Sequence, residues 1–163
     1  MAILGIDPGK TGGMALLNND GELIDRMPFD GLGIADIIKT MRGMPIKHAF
    51  IEQVASRPGQ GVVSVFTFGR GFGEILGALA ALEIPHTLVR PQAWAKVMHA
   101  GTSGTDPKAR SLVAIARLFP GVDLRPTPRC KKPHAGLVDA VLIAEYGRRS
   151  LAVSDRAAWR GHV

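Results

Sequence analysis

The sequence predicts an α/β fold: a five-stranded mixed sheet, an antiparallel meander followed by parallel strands, flanked by helices. Two observations carry that prediction. Residues 1–28 read as three short strands joined by glycine turns, and residues 33–54 read as a helix followed by a strand. A helical crossover returns the next strand parallel to the sheet, here beside the first strand.

The elements follow in order. Ile3-Leu4-Gly5-Ile6-Asp7 is an apolar strand ending in a carboxylate, and Pro8-Gly9-Lys10-Thr11-Gly12 is a tight turn. Residues 13–18 return as a second strand, Asn19-Asp20-Gly21 supplies a hairpin turn, and residues 22–27 form the third strand. Ile34, Ile37, Ile38 and Met41 recur at helical spacing, giving a short helix over residues 33–42 that Pro45 ends. Residues 48–54 form the fourth strand, apolar and then acidic at Glu52, repeating the pattern that ends in Asp7.

Residues 62–82 are a long helix or a pair of helices. Gly69, Gly73 and Gly77 fall on one stripe of it. Each destabilises a helix by about 1 kcal/mol relative to alanine, so the stripe predicts close approach of another backbone. The chain's own sheet is the expected neighbour and a second copy the alternative. A fifth strand covers residues 85–89, and Pro91 opens a helix. Asp106-Pro107 supplies an N-cap and first residue for the next helix. After the proline-punctuated basic loop 125–133, a last helix is expected over residues 134–149. Residues 1–149 make one domain, and residues 150–163 are expected to be a tail, one more helical turn or disordered.

Apolar content of 46% supports a sizeable core, and no apolar run is expected to reach the roughly 20 residues of a membrane span. A lone cysteine, Cys130, rules out an intramolecular disulfide and a thiolate metal cluster. No signal peptide is read at the N-terminus, and a reducing, cytoplasmic setting is the simplest expectation. The net charge of +6 is uneven: residues 84–163 hold thirteen Lys/Arg against five Asp/Glu, whereas residues 1–83 are slightly acidic. That asymmetry points to a polyanion partner, most simply nucleic acid.

Parallel neighbouring strands would place Asp7 and Glu52 together, where two carboxylates repel unless a cation lies between them. Taken in order, Gly5-Ile6-Asp7-Pro8-Gly9, Ile51-Glu52-Gln53 and Leu137-Val138-Asp139-Ala140-Val141-Leu142-Ile143-Ala144 resemble the RuvC family of Holliday-junction resolvases, within the RNase H-like superfamily. The resemblance covers roughly residues 1–149. It implies a dimeric, metal-dependent endonuclease that cuts two strands of four-way DNA junctions symmetrically. It further implies Asp7, Glu52 and Asp139 as catalytic metal ligands for Mg²⁺ or Mn²⁺, two ions per site, with Asp7 shared between them. Two divalent ions about 4 Å apart suit phosphodiester hydrolysis, and Mg²⁺ needs only a few carboxylates. No small-molecule cofactor and no membrane are expected.

One departure is chemical. Relatives carry a further acid, or in some members a histidine, on the last helix, and the nearest pattern reads His-Asp-Gly where this chain has His134-Ala135-Gly136. Position 135 lies one turn before Asp139 on the same helical face, and alanine cannot bind metal. The chain therefore lacks one ligand, by nature or by substitution, and impaired catalysis is expected. His134, about 140° around a regular helix from Asp139, reaches the site as a ligand only through an irregular first turn. Some relatives also place an aromatic residue three positions after the glutamate, where this chain has Ala55.

Lys10, Arg57, Gln60, Lys108, Arg110, Arg129, Lys131 and Lys132 are the candidate phosphate contacts, with the 129–132 cluster foremost because it precedes the Asp139 helix. Three other readings compete. One is a nuclease of the same fold acting on other branched nucleic acid. Another is a junction-binding protein without catalysis, which Ala135 favours. The last, an actin-like ATPase, requires a second domain that 163 residues do not hold.

Overall fold

The computed structural model describes residues 1–53, 55, 59 and 61–160, with side chains up to residue 153. The elements are β1 (Ala2–Asp7), β2 (Gly13–Asn18), β3 (Leu23–Pro28), α1 (Ile34–Arg42), β4 (Ile46–Glu52), α2 (Val62–Ala81), β5 (His86–Val89), α3 (Pro91–Met98), α4 (Pro107–Leu118) and α5 (Ala135–Arg160). The sheet order is β3-β2-β1-β4-β5. β1, β2 and β3 pair antiparallel, and β4 and β5 join in parallel, as the meander and crossover pattern predicts.

Local chemistry explains the turns. Asn18 Oδ1 accepts from the backbone N–H groups of Asp20 and Glu22, and Gly21 takes a φ of 89° that other residues rarely adopt. Asp106 caps α4 by accepting from the N–H groups of Lys108 and Ala109.

Alternation along the central strands divides two cores. Ala2, Leu4 and Ile6 pack toward α1 and α2 with Met14, Leu16, Ala49 and Ile51. Ile3, Ala15, Leu17 and Phe50 pack the other way, against α3, α4 and α5. Leu137, Val138, Ala140, Val141, Leu142, Ile143 and Ala144, a run interrupted only by Asp139, are buried along α5. Each of its larger side chains contributes about 1.5–3 kcal/mol on burial.

Glycines let α5 sit directly on the sheet. A side chain at Gly5 would run into the backbone of α5 at Ala140 and Ala144, and one at Gly136 would meet Gly12 and Thr11. The helix backbone thus rests on β1 and on the turn after Asp7. α5 continues past residue 149 to Arg160 without a break, and residues 161–163 lie outside the described part. Arg148 binds Glu145 and the Asn19 carbonyl, fastening α5 to the β2–β3 turn.

α2 corrects two expectations. It is a single helix of 20 residues, and a Cβ at Gly69, Gly73 or Gly77 would meet open space, so the stripe does not pack against the chain's own sheet. Only Ile75, Ala78 and Leu79 are buried along it, while Val62, Val63 and Phe66 are 85%, 80% and 71% exposed. By length and composition alone α2 could also cross a membrane, contrary to the expectation that no run is apolar enough. The Arg70–Glu74 pair at 3.6 Å interrupts its apolar surface.

Candidate active site

Register places the first two carboxylates. Ile6 pairs with Ile51 across parallel β1 and β4, so Asp7 and Glu52 occupy the next positions on adjacent strands. By strand alternation both face the α3–α4–α5 layer. Asp139 arrives from above, one turn into α5, where Gly136 allows the helix to rest against Gly12.

Asp7 and Asp139 come together. Burial first, and then the charge on Asp7, push the Asp139 carboxyl up to about 6 against the Ser111 hydrogen bond and Lys108. Burial also raises Asp7 above its ordinary value, although the Gly9 N–H at 3.3 Å and His134 pull it down. Among the described residues neither carboxylate forms an ion pair. Glu52 Oε2 accepts from Trp94 Nε1 at 2.8 Å. Among the described residues no three His, Cys, Asp or Glu side chains converge closely enough to hold one ion.

The donor set nevertheless fits a hard divalent cation. Two partly buried carboxylates, the charge of Asp7 raising the Asp139 carboxyl, with a third on the adjoining strand end, are hard oxygen ligands whose charge favours a cation. Asp7 and Asp139 would hold it, with Glu52 at the neighbouring strand end.

His134 is the N-cap of a regular first turn. Its Nδ1 accepts from Leu137 N at 3.2 Å, its carbonyl accepts from Val138 N, and its Nε2 lies 2.6 Å from Asp30 Oδ2. Both ring nitrogens are therefore used, and the irregular turn that would make it a metal ligand is absent. Ala135, the first residue of α5, is exposed.

No protein-family model matches the chain, and no curated protein matches it. Solved structures do. RuvC of T. thermophilus in complex with a Holliday junction substrate aligns with a TM-score of 0.67 at 16% identity, covering 92% of this chain and 96% of that one. The fold is that of RuvC. A second Thermus thermophilus RuvC structure gives a TM-score of 0.63 at 20% identity, again over 92% and 96% of the two chains. The yeast mitochondrial Holliday junction resolvase Ydc2 gives 0.57 at 16% identity over 90% of this chain and 77% of that one.

On this RuvC-like fold the basic candidates separate. Lys10 is exposed on the turn after Asp7, beside a groove of about 1060 Å³ between the β3–α1 loop and α2. Lys108 is exposed and its charge acts on Asp139. Arg129, Lys131 and Lys132 are exposed on the loop leading to α5. Arg110 has another occupation: Nε donates to Thr102 Oγ1 at 3.0 Å and Nη2 to the His99 carbonyl at 3.2 Å. Arg57 and Gln60 lie outside the described residues.

Sequence reasoning missed Asp30, Trp94, His99 and Ser111. The available signal was a polar atom on a buried face: Ser111 shares its side of α4 with Ala114 and Ile115, and Trp94 shares its side of α3 with Met98. Asp30, in a loop with no periodicity, offered none.

Proposed function

We propose that the chain is a metal-dependent, structure-specific DNA endonuclease acting on four-way junctions as a homodimer. The observation that carries this reading is the pairing of Asp7 with Asp139 at the end of β1, with neither carboxylate in an ion pair among the described residues. The RuvC-like fold supports it, because two of the matching proteins were solved with Holliday junction DNA, the T. thermophilus RuvC and the Fowlpox virus resolvase.

Bound divalent cations would supply a water nucleophile at neutral pH and offset charge on the leaving oxygen. The protein's part is positional. Asp7, on the central strand, holds its oxygens fixed against the Gly9 N–H. Asp139 is carried in by the tight α5 contact, and Glu52 stands at the adjoining end of β4. Lys10, Lys108 and the 129–132 loop line the approach with positive charge for the phosphate backbone.

The α2 surface supports the homodimer. Its exposed Val62, Val63 and Phe66 and its open glycine stripe form an apolar helix face with room for close backbone approach. A second copy rather than a bilayer is the assigned partner, in the cytoplasm.

Ala135 favours a second reading, in which this chain binds junctions and does not cut them. Four-way, three-way and linear DNA incubated with Mg²⁺ or Mn²⁺ test both. Paired symmetric nicks in the four-way substrate alone are expected. Tight binding of the four-way junction without product would leave the binder, and equal cutting of three-way DNA would assign a broader branched-DNA nuclease.

A further inference from the structure

Behind the carboxylates lies a chain of hydrogen bonds whose direction is fixed by chemistry. An ionised carboxylate only accepts, so Ser111 Oγ donates its single proton to Asp139 Oδ1, at 3.0 Å. Ser111 Oγ must then accept from its other neighbour, His99 Nε2, also at 3.0 Å. His99 therefore carries its proton on Nε2. Both His99 and Ser111 are only 4% exposed, so this order is not scrambled by solvent.

The same turn reaches the other acid. The His99 ring stands edge-on to Trp94, with centroids 5.7 Å apart and planes 79° apart, and Trp94 Nε1 donates to Glu52 Oε2. The turn that carries His99 is clamped from α4. Arg110 and Thr102 both donate to the His99 carbonyl, and Arg117 donates to the carbonyls of Met98 and Ala100. Two basic residues of α4 are thus engaged in holding the end of α3, a helix of only 8 residues.

We propose that Ser111, backed by His99, is the positioning residue for Asp139, that Trp94 is the positioning residue for Glu52, and that the Trp94–His99 contact makes the two one unit. The proposal rests on the metal-binding reading given above. Without Ser111 the Asp139 carboxylate is free to rotate about its terminal torsion, which is broad and soft. Outer hydrogen bonds of this kind typically change metal affinity by 10–100-fold.

The test is Mn²⁺ binding by the DNA-free protein, measured by calorimetry and by the electron paramagnetic resonance of free Mn²⁺. Ser111→Ala is expected to weaken Mn²⁺ affinity at least tenfold, and Ser111→Thr, which keeps the hydroxyl, to stay within about threefold of the wild type. Ser111→Cys, of similar volume with a weak donor, serves if the alanine variant melts early, and is expected to lose affinity likewise. Trp94→Phe is expected to weaken binding in the same direction, and the double variant to lose less than the product of the two single effects. Wild-type protein that binds no Mn²⁺ would remove the metal-binding reading itself. Wild-type binding that Ser111→Ala and Ser111→Cys leave unchanged would overturn the positioning role alone. Independent, multiplying effects of the two single changes would overturn the single unit.

Discussion

His134 Nε2 lies 2.6 Å from Asp30 Oδ2, while the Nδ1 of the same ring accepts the Leu137 N–H. The ring therefore ties the loop after β3 to the first turn of α5, the turn that leads to Asp139. Capping bonds of this kind contribute about 1 kcal/mol. His134→Ala is expected to lower the melting temperature by about 2–4 °C. His134→Asn, a good cap, is expected to recover most of that loss. Mn²⁺ affinity that collapses in His134→Asn while the melting temperature holds would make His134 a ligand instead.

The Asp139 carboxyl, pushed up to about 6, gives stability a definite pH dependence. Because the folded value lies above the unfolded one, the favourable contribution is full below about pH 4 and is lost as pH rises through about 6. Asp139→Asn is therefore expected to match the wild type near pH 4 and to exceed it at pH 7.5. Allowing for the partial exposure of the site, the gain is about 1–2 kcal/mol, or roughly 3–6 °C. Mg²⁺ is expected to raise the wild-type melting temperature at pH 7.5 and to leave Asp139→Asn nearly unmoved. A pH-independent difference between the two proteins would remove the raised Asp139 carboxyl, and with it the effect of burial beside Asp7, from the account.

Gly73 and Gly77 touch nothing on their open side. Alanine at both is expected to favour the helix by about 1 kcal/mol each in a lone protomer. If two copies meet across this stripe, the added methyl groups hold the backbones apart. Sedimentation is expected to show dimer dissociation strengthened at least tenfold, with no fall in the melting temperature of dilute protein. Unchanged association would move the partner surface elsewhere.

Ala135 is exposed at the start of α5, so a side chain there meets little resistance from the fold. An aspartate would also suit the helix N-terminus. Ala135→Asp is expected to raise four-way junction cutting with Mg²⁺ at least tenfold. Activity that does not change would mean that the site needs no fourth acid at this position.

Arg129, Lys131 and Lys132 stand exposed on the loop before α5. Replacing all three with glutamine is expected to weaken junction binding and to flatten its dependence on salt by two to three phosphate contacts, on the order of −0.9 in slope per contact. A salt slope equal to that of the wild type would take this loop off the DNA path.

The sequence by itself determined the strand and helix order, because alternation, glycine turns and capping residues act within a few positions of one another. Asp7 was legible as the end of an apolar strand, and the crossover before β4 put Glu52 beside it. The α2 stripe was visible as well, but its partner was not: helical spacing says that a face wants company and never says which company. Only the tertiary structure decided that Gly5 and Gly136 seat α5 on the Asp7 turn, and so that Asp139 meets Asp7. It also turned Arg110 from a phosphate contact into a clamp and His134 from a ligand into a cap. The ties from Trp94 to Glu52 and from His134 to Asp30 were hidden for one physical reason. A hydrogen bond between residues 42 or 104 positions apart, as in Trp94–Glu52 and His134–Asp30, leaves no periodic trace along the chain.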